Sequence, residues 1–161
     1  MRTAGALMIL CAFSAWGFSV SLSMHRRYDA WGRFIAALEI LKAEIGYSGA
    51  SLKTAFYAAS KVSGLKLFER AADKLAAVGL DSAWAEAVAE SSGNPEDAEI
   101  ILLLSSKLGK TDAEGQIKHI SYILSLAESA KKEAEAEYKE KGALFRRGGI
   151  LTGVLIILLL F

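Results

Sequence analysis

The chain is poor in the residues that interrupt, cross-link or chemically arm a fold. Its 161 residues include one cysteine, one proline and two histidines. A lone Cys11 excludes an intramolecular disulfide, and nothing in the cysteine usage implies an oxidising compartment. A lone Pro95 leaves long stretches free to run as helix. Charge of one sign is also scarce: 19 Lys and Arg balance 18 Asp and Glu, without the basic excess that nucleic-acid binding needs. Alternating apolar and polar stretches, the mark of half-buried strands, are missing as well.

The same scarcity weakens enzyme readings. His25 and His119 stand apart, with no Cys beside them and no H-E-x-x-H pattern, so no metal site is expected. The stretch "GLKLFER" (Gly64–Arg70) lacks the G-K-[ST] ending of a phosphate loop. Ser91 and Ser92 have no G-x-S-x-G context. The sequence therefore predicts a protein that is not an enzyme and holds no cofactor.

What is present is apolar, and it is concentrated at the two ends. Thr3 to Met24 carries no charged side chain, a length that spans a bilayer as one helix. A secretory signal peptide is the competing reading. Its positive charge would precede the apolar region, whereas His25, Arg26 and Arg27 follow it, which favours an uncleaved transmembrane helix over 3–24. At the other end, "FRRGGILTGVLIILLLF" offers uncharged residues only from Gly148 to Phe161, about 21 Å of helix against roughly 30 Å of hydrocarbon. Counted from Ala143, with the stems of Arg146 and Arg147 snorkelling to the headgroups, the helix reaches about 28 Å. A second span over 143–161 is predicted, in preference to a tail that inserts without crossing. Arg26, Arg27 and Arg33 follow the first run, and Lys139, Lys141, Arg146 and Arg147 precede or open the second. These flanks place 26–142 in the cytoplasm and both termini across the membrane.

The intervening region reads as an all-α, small antiparallel bundle of about six helices, flanked by the N- and C-terminal membrane helices. From Asp29, Trp31, Phe34, Ile35, Leu38, Leu41 and Ile45 share a face. Gly46 to Gly49 supplies a break, and Ser51 caps a second helix that carries Leu52, Ala55, Phe56, Ala59 and Val62 and ends at Gly64. A third holds Leu65, Phe68, Ala72, Leu75 and Val78 and stops at Gly79; Asp81 or Ser82 caps a fourth with Trp84 and Val88. Asn94 and Pro95 open the next, with Glu96 and Asp97 at the positive end of its dipole and Gly109 as its stop. Thr111 or Asp112 then opens a final helix along Ile117, Ile120, Leu124, Ala127, Ala130 and Ala134. It fades into the charged run Lys131–Lys141, expected to be a solvated helical stalk. Exposed acidic positions Glu39, Glu44, Glu96 and Asp97 remain as candidate partner-binding groups.

Two stretches carry a family resemblance. "LEILKAEIGYSGASLKTAF" sets Leu38, Leu41, Glu44, Ile45, Tyr47, Leu52 and Ala55 in one pattern, and "LGKTDAEGQIKHI" sets Leu108, Gly109, Asp112, Gln116 and Lys118 in another. In these motifs, and in its two apolar ends, the chain resembles the stage III sporulation protein AB family. The family commonly has Pro before the Leu that opens the second helix; here Ala50 and Ser51 replace that rigidity with a hydroxyl cap.

The family in turn resembles the F domain of type II secretion and type IV pilus platform proteins. The resemblance implies a non-enzymatic platform subunit of a secretion-like channel linking mother cell and forespore, required in stage III after engulfment and seated in the mother-cell membrane. It also implies a secretion-type ATPase and the other channel proteins as partners, beside the lipid bilayer, and leaves self-association open. The alternative is a general secretion or pilus platform, or a membrane tether, outside sporulation.

Overall fold

The computed structural model describes residues 2–91 and 94–160, with side chains left out for residues 2–7, 9, 10, 146, 149, 150, 153, 157, 159 and 160. Six α-helices are found among the described residues, and no strand: α1 (Arg2–Ala43), α2 (Leu52–Ser63), α3 (Lys66–Val78), α4 (Leu80–Ala89), α5 (Pro95–Leu102) and α6 (Ala113–Leu160). A π-helical turn, Glu44–Ser48, follows α1, and a 3-10 turn, Leu103–Ser106, follows α5. The chain divides into two compact units, Trp31–Ala130 on one hand and Met1–Ala30 with Lys131–Phe161 on the other.

The 31–130 unit is built on an aromatic centre. Phe56, Phe68 and Trp84 form a triangle with centroids 5.2–5.6 Å apart, and Phe34 joins through Phe68 at 6.0 Å. Such pairs add about 0.5–1.5 kcal/mol each beyond the burial of their area. Ala37, Leu38, Leu41, Leu104, Leu108, Ile120 and Ile123 close the core with no exposed surface. Small residues at Ala55, Ala59, Ala71, Ala72, Ala83 and Ala87 bring consecutive helices close, and α2, α3 and α4 pack in sequence.

Most caps follow the sequence reading, with informative departures. Ser51 Oγ accepts from Thr54 N–H, and Asn94 Oδ1 accepts from Glu96 N–H with Pro95 at the first helical position. The expected side-chain cap at Asp81 or Ser82 is replaced by Gly79, whose carbonyl accepts from Ala83 N–H. Asp81 instead faces Lys110, whose Nζ lies 2.7 Å from Oδ2. Nor does α5 last until Gly109. Trp84 Nε1 donates to the Ile101 carbonyl, Ser105 Oγ to that of Leu102, and the imidazole Nε2 of His119 lies 2.9 Å from that of Leu103. The local Ser105 hydroxyl and the tertiary donors Trp84 and His119 take up carbonyls where the helix ends and tightens into the 3-10 turn. Val62 and Val78, expected on the packed face, are exposed near helix ends, while Leu67 is buried in place of Leu65 and Ile123 in place of Leu124.

In the other unit, residues 2–30 of α1 and 131–160 of α6 pack on each other. Gly17 and Ser21 are buried, and a Cβ added to Gly142 would come 3.2 Å from Ser21 Oγ, so small residues set the closest approach. Trp16 meets Phe145 edge-on at 6.2 Å, and His25 lies over Tyr138 at 5.0 Å. The charged run Lys131–Lys141 is not simply a solvated stalk: Ala134 is buried, Glu137 pairs with Arg27 at 3.1 Å, and Lys131 sits over the Tyr28 ring. Counted over the described residues, no helix is long and apolar enough to cross a membrane; much of the two apolar runs lies outside the described side chains.

Candidate functional site

The two motif stretches, far apart in sequence, meet in the 31–130 unit. A Cβ built on Gly46 would stand 3.1 Å from Ile117 Cδ1, and one on Gly109 would stand 3.7 Å from Leu52 Cδ2. The π-turn is therefore pressed against the first turns of α6, and the start of α2 against the Leu108–Gly109 bend.

Most motif residues are explained by building this junction. Leu38, Leu41 and Leu108 are fully buried. Gly109 has φ +67°, a conformation in which a side chain is strained. Its N–H donates to Gln116 Oε1 at 3.0 Å, and Gln116 Nε2 donates to the Thr111 carbonyl at 2.9 Å. One amide side chain thus staples the bend from both sides. Asp112 Oδ1 accepts from Gly115 N–H at 3.0 Å and so caps α6. Lys118 pairs with Glu114 one turn away on the exposed face.

The π-turn leaves two side chains without such duties. Its geometry comes from the Glu44 carbonyl, which accepts from Ser48 Oγ and from the N–H groups of Gly49 and Ala50 as the chain turns through Gly49 at φ +59°. Turns of this wide type concentrate at functional sites. Tyr47 is 95% exposed, the most exposed large apolar side chain among those described. Glu44 is half-buried, and its Oε2 accepts from Ser48 Oγ at 2.6 Å. The other acidic candidates lie on different elements: Glu39 is exposed on α1, while Glu96, exposed, and Asp97, half-buried, stand in the first turn of α5. The four do not form one cluster along the chain; Glu44 alone belongs to the motif junction.

A cleft of about 410 Å³ beside the Leu108–Gln116 segment went unseen in the sequence. Lys107, Lys110, Lys118 and Tyr122 line it. The only sequence signal was the recurrence of lysines around a helix break. Lys110 holds the Asp81 carboxyl below its usual range through hydrogen bonding. Buried His119 has Ser106 Oγ 3.2 Å from Nε2, and the carbonyl of Leu103 near the same atom fixes Nε2 as the donor. Among the described residues no group of three His, Cys, Asp or Glu comes together to hold a metal ion.

These features describe an all-helical unit: an alanine-rich bundle that holds a stapled junction and displays an aromatic, acidic turn. The chain belongs to the stage III sporulation protein AB family, whose profile matches residues 2–161, which makes it a sporulation protein. It is 29% identical to stage III sporulation protein AB of Bacillus subtilis (strain 168), the alignment covering 99% of each chain. A solved structure of stage III sporulation protein AB, 27% identical, matches 70% of this chain and 96% of its own with a TM-score of 0.62.

Proposed function

We propose that this sporulation protein is a non-enzymatic membrane platform: a docking subunit of a secretion-like channel complex between mother cell and forespore, whose partners include a secretion-type ATPase. The carrying observation is the π-turn. The junction is fixed by buried leucines, a capping Asp and a stapling Gln, yet it presents Tyr47 almost wholly to solvent beside a Glu44 carboxylate that accepts a hydrogen bond from a neighbouring hydroxyl. Core packing does not account for an aromatic ring held out in this way, whereas exposed aromatics are the usual anchors of protein interfaces.

The membrane part of the reading rests on the apolar runs 3–24 and 143–161 with their inward-facing basic flanks. Pairing of α1 and α6 through Gly17, Ser21 and Gly142 favours a helical hairpin, since small residues allow close contact between helices in lipid. In this reading residues 26–142 face the mother-cell cytoplasm.

The test separates fold from docking. Tyr47→Ala, at an exposed site, should change stability by no more than about 0.5 kcal/mol, and Glu44→Ala, which loses a hydrogen bond from the exposed Ser48 hydroxyl, by about 0.5–1 kcal/mol. An interface charge costs several times that when its partner is left unpaired. The expected outcome is normal protein abundance, weakened co-purification with the channel proteins, and arrest after engulfment. Normal spore yield from a strain carrying only the doubly substituted protein would overturn the assignment of this turn.

A further inference from the structure

We propose that the cleft lined by Lys107, Lys110, Lys118 and Tyr122 is a second docking surface, which receives an acidic, carboxylate-bearing segment of a partner protein. It does not depend on the reading of Glu44 and Tyr47, which lie on the π-turn.

Three observations carry it. First, the cations are available. Lys107 has no ion-pair partner among the described residues, while Lys110 and Lys118 are held only by the exposed carboxylates Asp81 and Glu114. Exposed pairs of this kind contribute little and exchange partners readily. Second, one wall is aromatic: Tyr122, which lines the cleft, is 54% exposed. Carboxylate side chains interspersed with aliphatic ones match both features, and a space of about 410 Å³ accommodates several side chains.

Third, the two glycine N–H groups and the threonine hydroxyl that a phosphate group would use are already engaged. Gly109 N–H is held by Gln116 and Gly115 N–H by Asp112, and Thr111 Oγ1 donates to the Lys107 carbonyl. A phosphate site at a helix start relies on free backbone N–H groups. Here there remain flexible ammonium groups and a wall that includes the Asp112 carboxylate, which disfavours a compact dianion and tolerates a dispersed chain of single charges.

The experiment uses the full chain in an uncharged detergent and a short fluorescein-labelled peptide alternating glutamate and leucine, read by fluorescence anisotropy. Saturable binding is expected, weakening as salt rises and lost when glutamine replaces glutamate in the peptide. The pair Lys107→Glu with Lys118→Glu should weaken binding by at least about tenfold, while Lys107→Arg with Lys118→Arg retains it; melting curves of both proteins guard against loss of fold. Absent or non-saturable binding overturns the proposal. So does binding that the charge reversals leave unchanged, or that inorganic pyrophosphate displaces more effectively than the unlabelled peptide.

Discussion

Gln116→Ala is the sharpest probe of the motif junction. The substitution removes two hydrogen bonds, 3.0 Å from Gly109 N–H and 2.9 Å to the Thr111 carbonyl, both at exposed backbone groups that water can reach. A typical net hydrogen bond stabilises by about 0.5–1.5 kcal/mol, with solvated partners at the low end, so the pair amounts to about 1–1.5 kcal/mol. For a unit the size of Trp31–Ala130, that lowers the melting temperature by roughly 5–10 °C.

Gln116→Glu should do no better than alanine. It keeps an acceptor for Gly109 but turns a carboxylate oxygen, not an N–H, towards the Thr111 carbonyl. Gly109→Ala should cost about 1 kcal/mol from its backbone alone, because the added methyl meets nothing closer than Leu52 Cδ2 at 3.7 Å. Since both residues hold one bend, the double variant should cost less than the sum of the two. The assay is thermal unfolding of the purified chain, followed by circular dichroism. A melting temperature within about 1 °C of the parent for Gln116→Ala would refute the staple. If spore formation failed at the same time, the amide would be a partner contact.

Acid should loosen both units in a defined window. Hydrogen bonding from Lys74 holds the Glu90 carboxyl below its ordinary 4.5, Lys139 does the same for Glu135, and Lys141 followed by Arg27 does so for Glu137. Folded values below unfolded ones contribute stability above the unfolded value and lose it as pH falls through the folded one. The melting temperature should therefore begin to drop below about pH 4.5, and a curve still flat near pH 3 would contradict these pairings. For topology, Glu96→Cys in a Cys11→Ser background places one thiol at an exposed site. A membrane-impermeant maleimide should label it only after cells are opened, and ready labelling of intact cells would reverse the orientation.

How much of this was legible in the sequence depended on whether a feature was local. The Ser51 cap, the Asn94–Pro95 start and the stop at Gly64 each use groups within a few residues, and each appears where the sequence places it. The end of α5 was not legible, because the donors at the carbonyls where it passes into the 3-10 turn include Trp84 of α4 and His119 of α6. Asp81 looked like a cap for the same reason: its true counterion, Lys110, lies 29 positions away. The charged run 131–141 read as a solvated stalk because its internal Lys–Glu spacings satisfy one another; the Arg27 that also engages Glu137 is 110 positions distant. The candidate site divides along the same line. Motif spacing singled out Glu44, Tyr47, Gly109 and Gln116, but only the fold shows that Gly109 and Gln116 build the junction while Tyr47 is presented by it. A recurring motif thus mixes residues that hold a surface with residues that use it, and the two separate once hydrogen-bond partners and exposure are known. The lysine cleft marks the limit of sequence reading: Lys107, Lys110 and Lys118 straddle a helix break, so no periodicity could place them around one space.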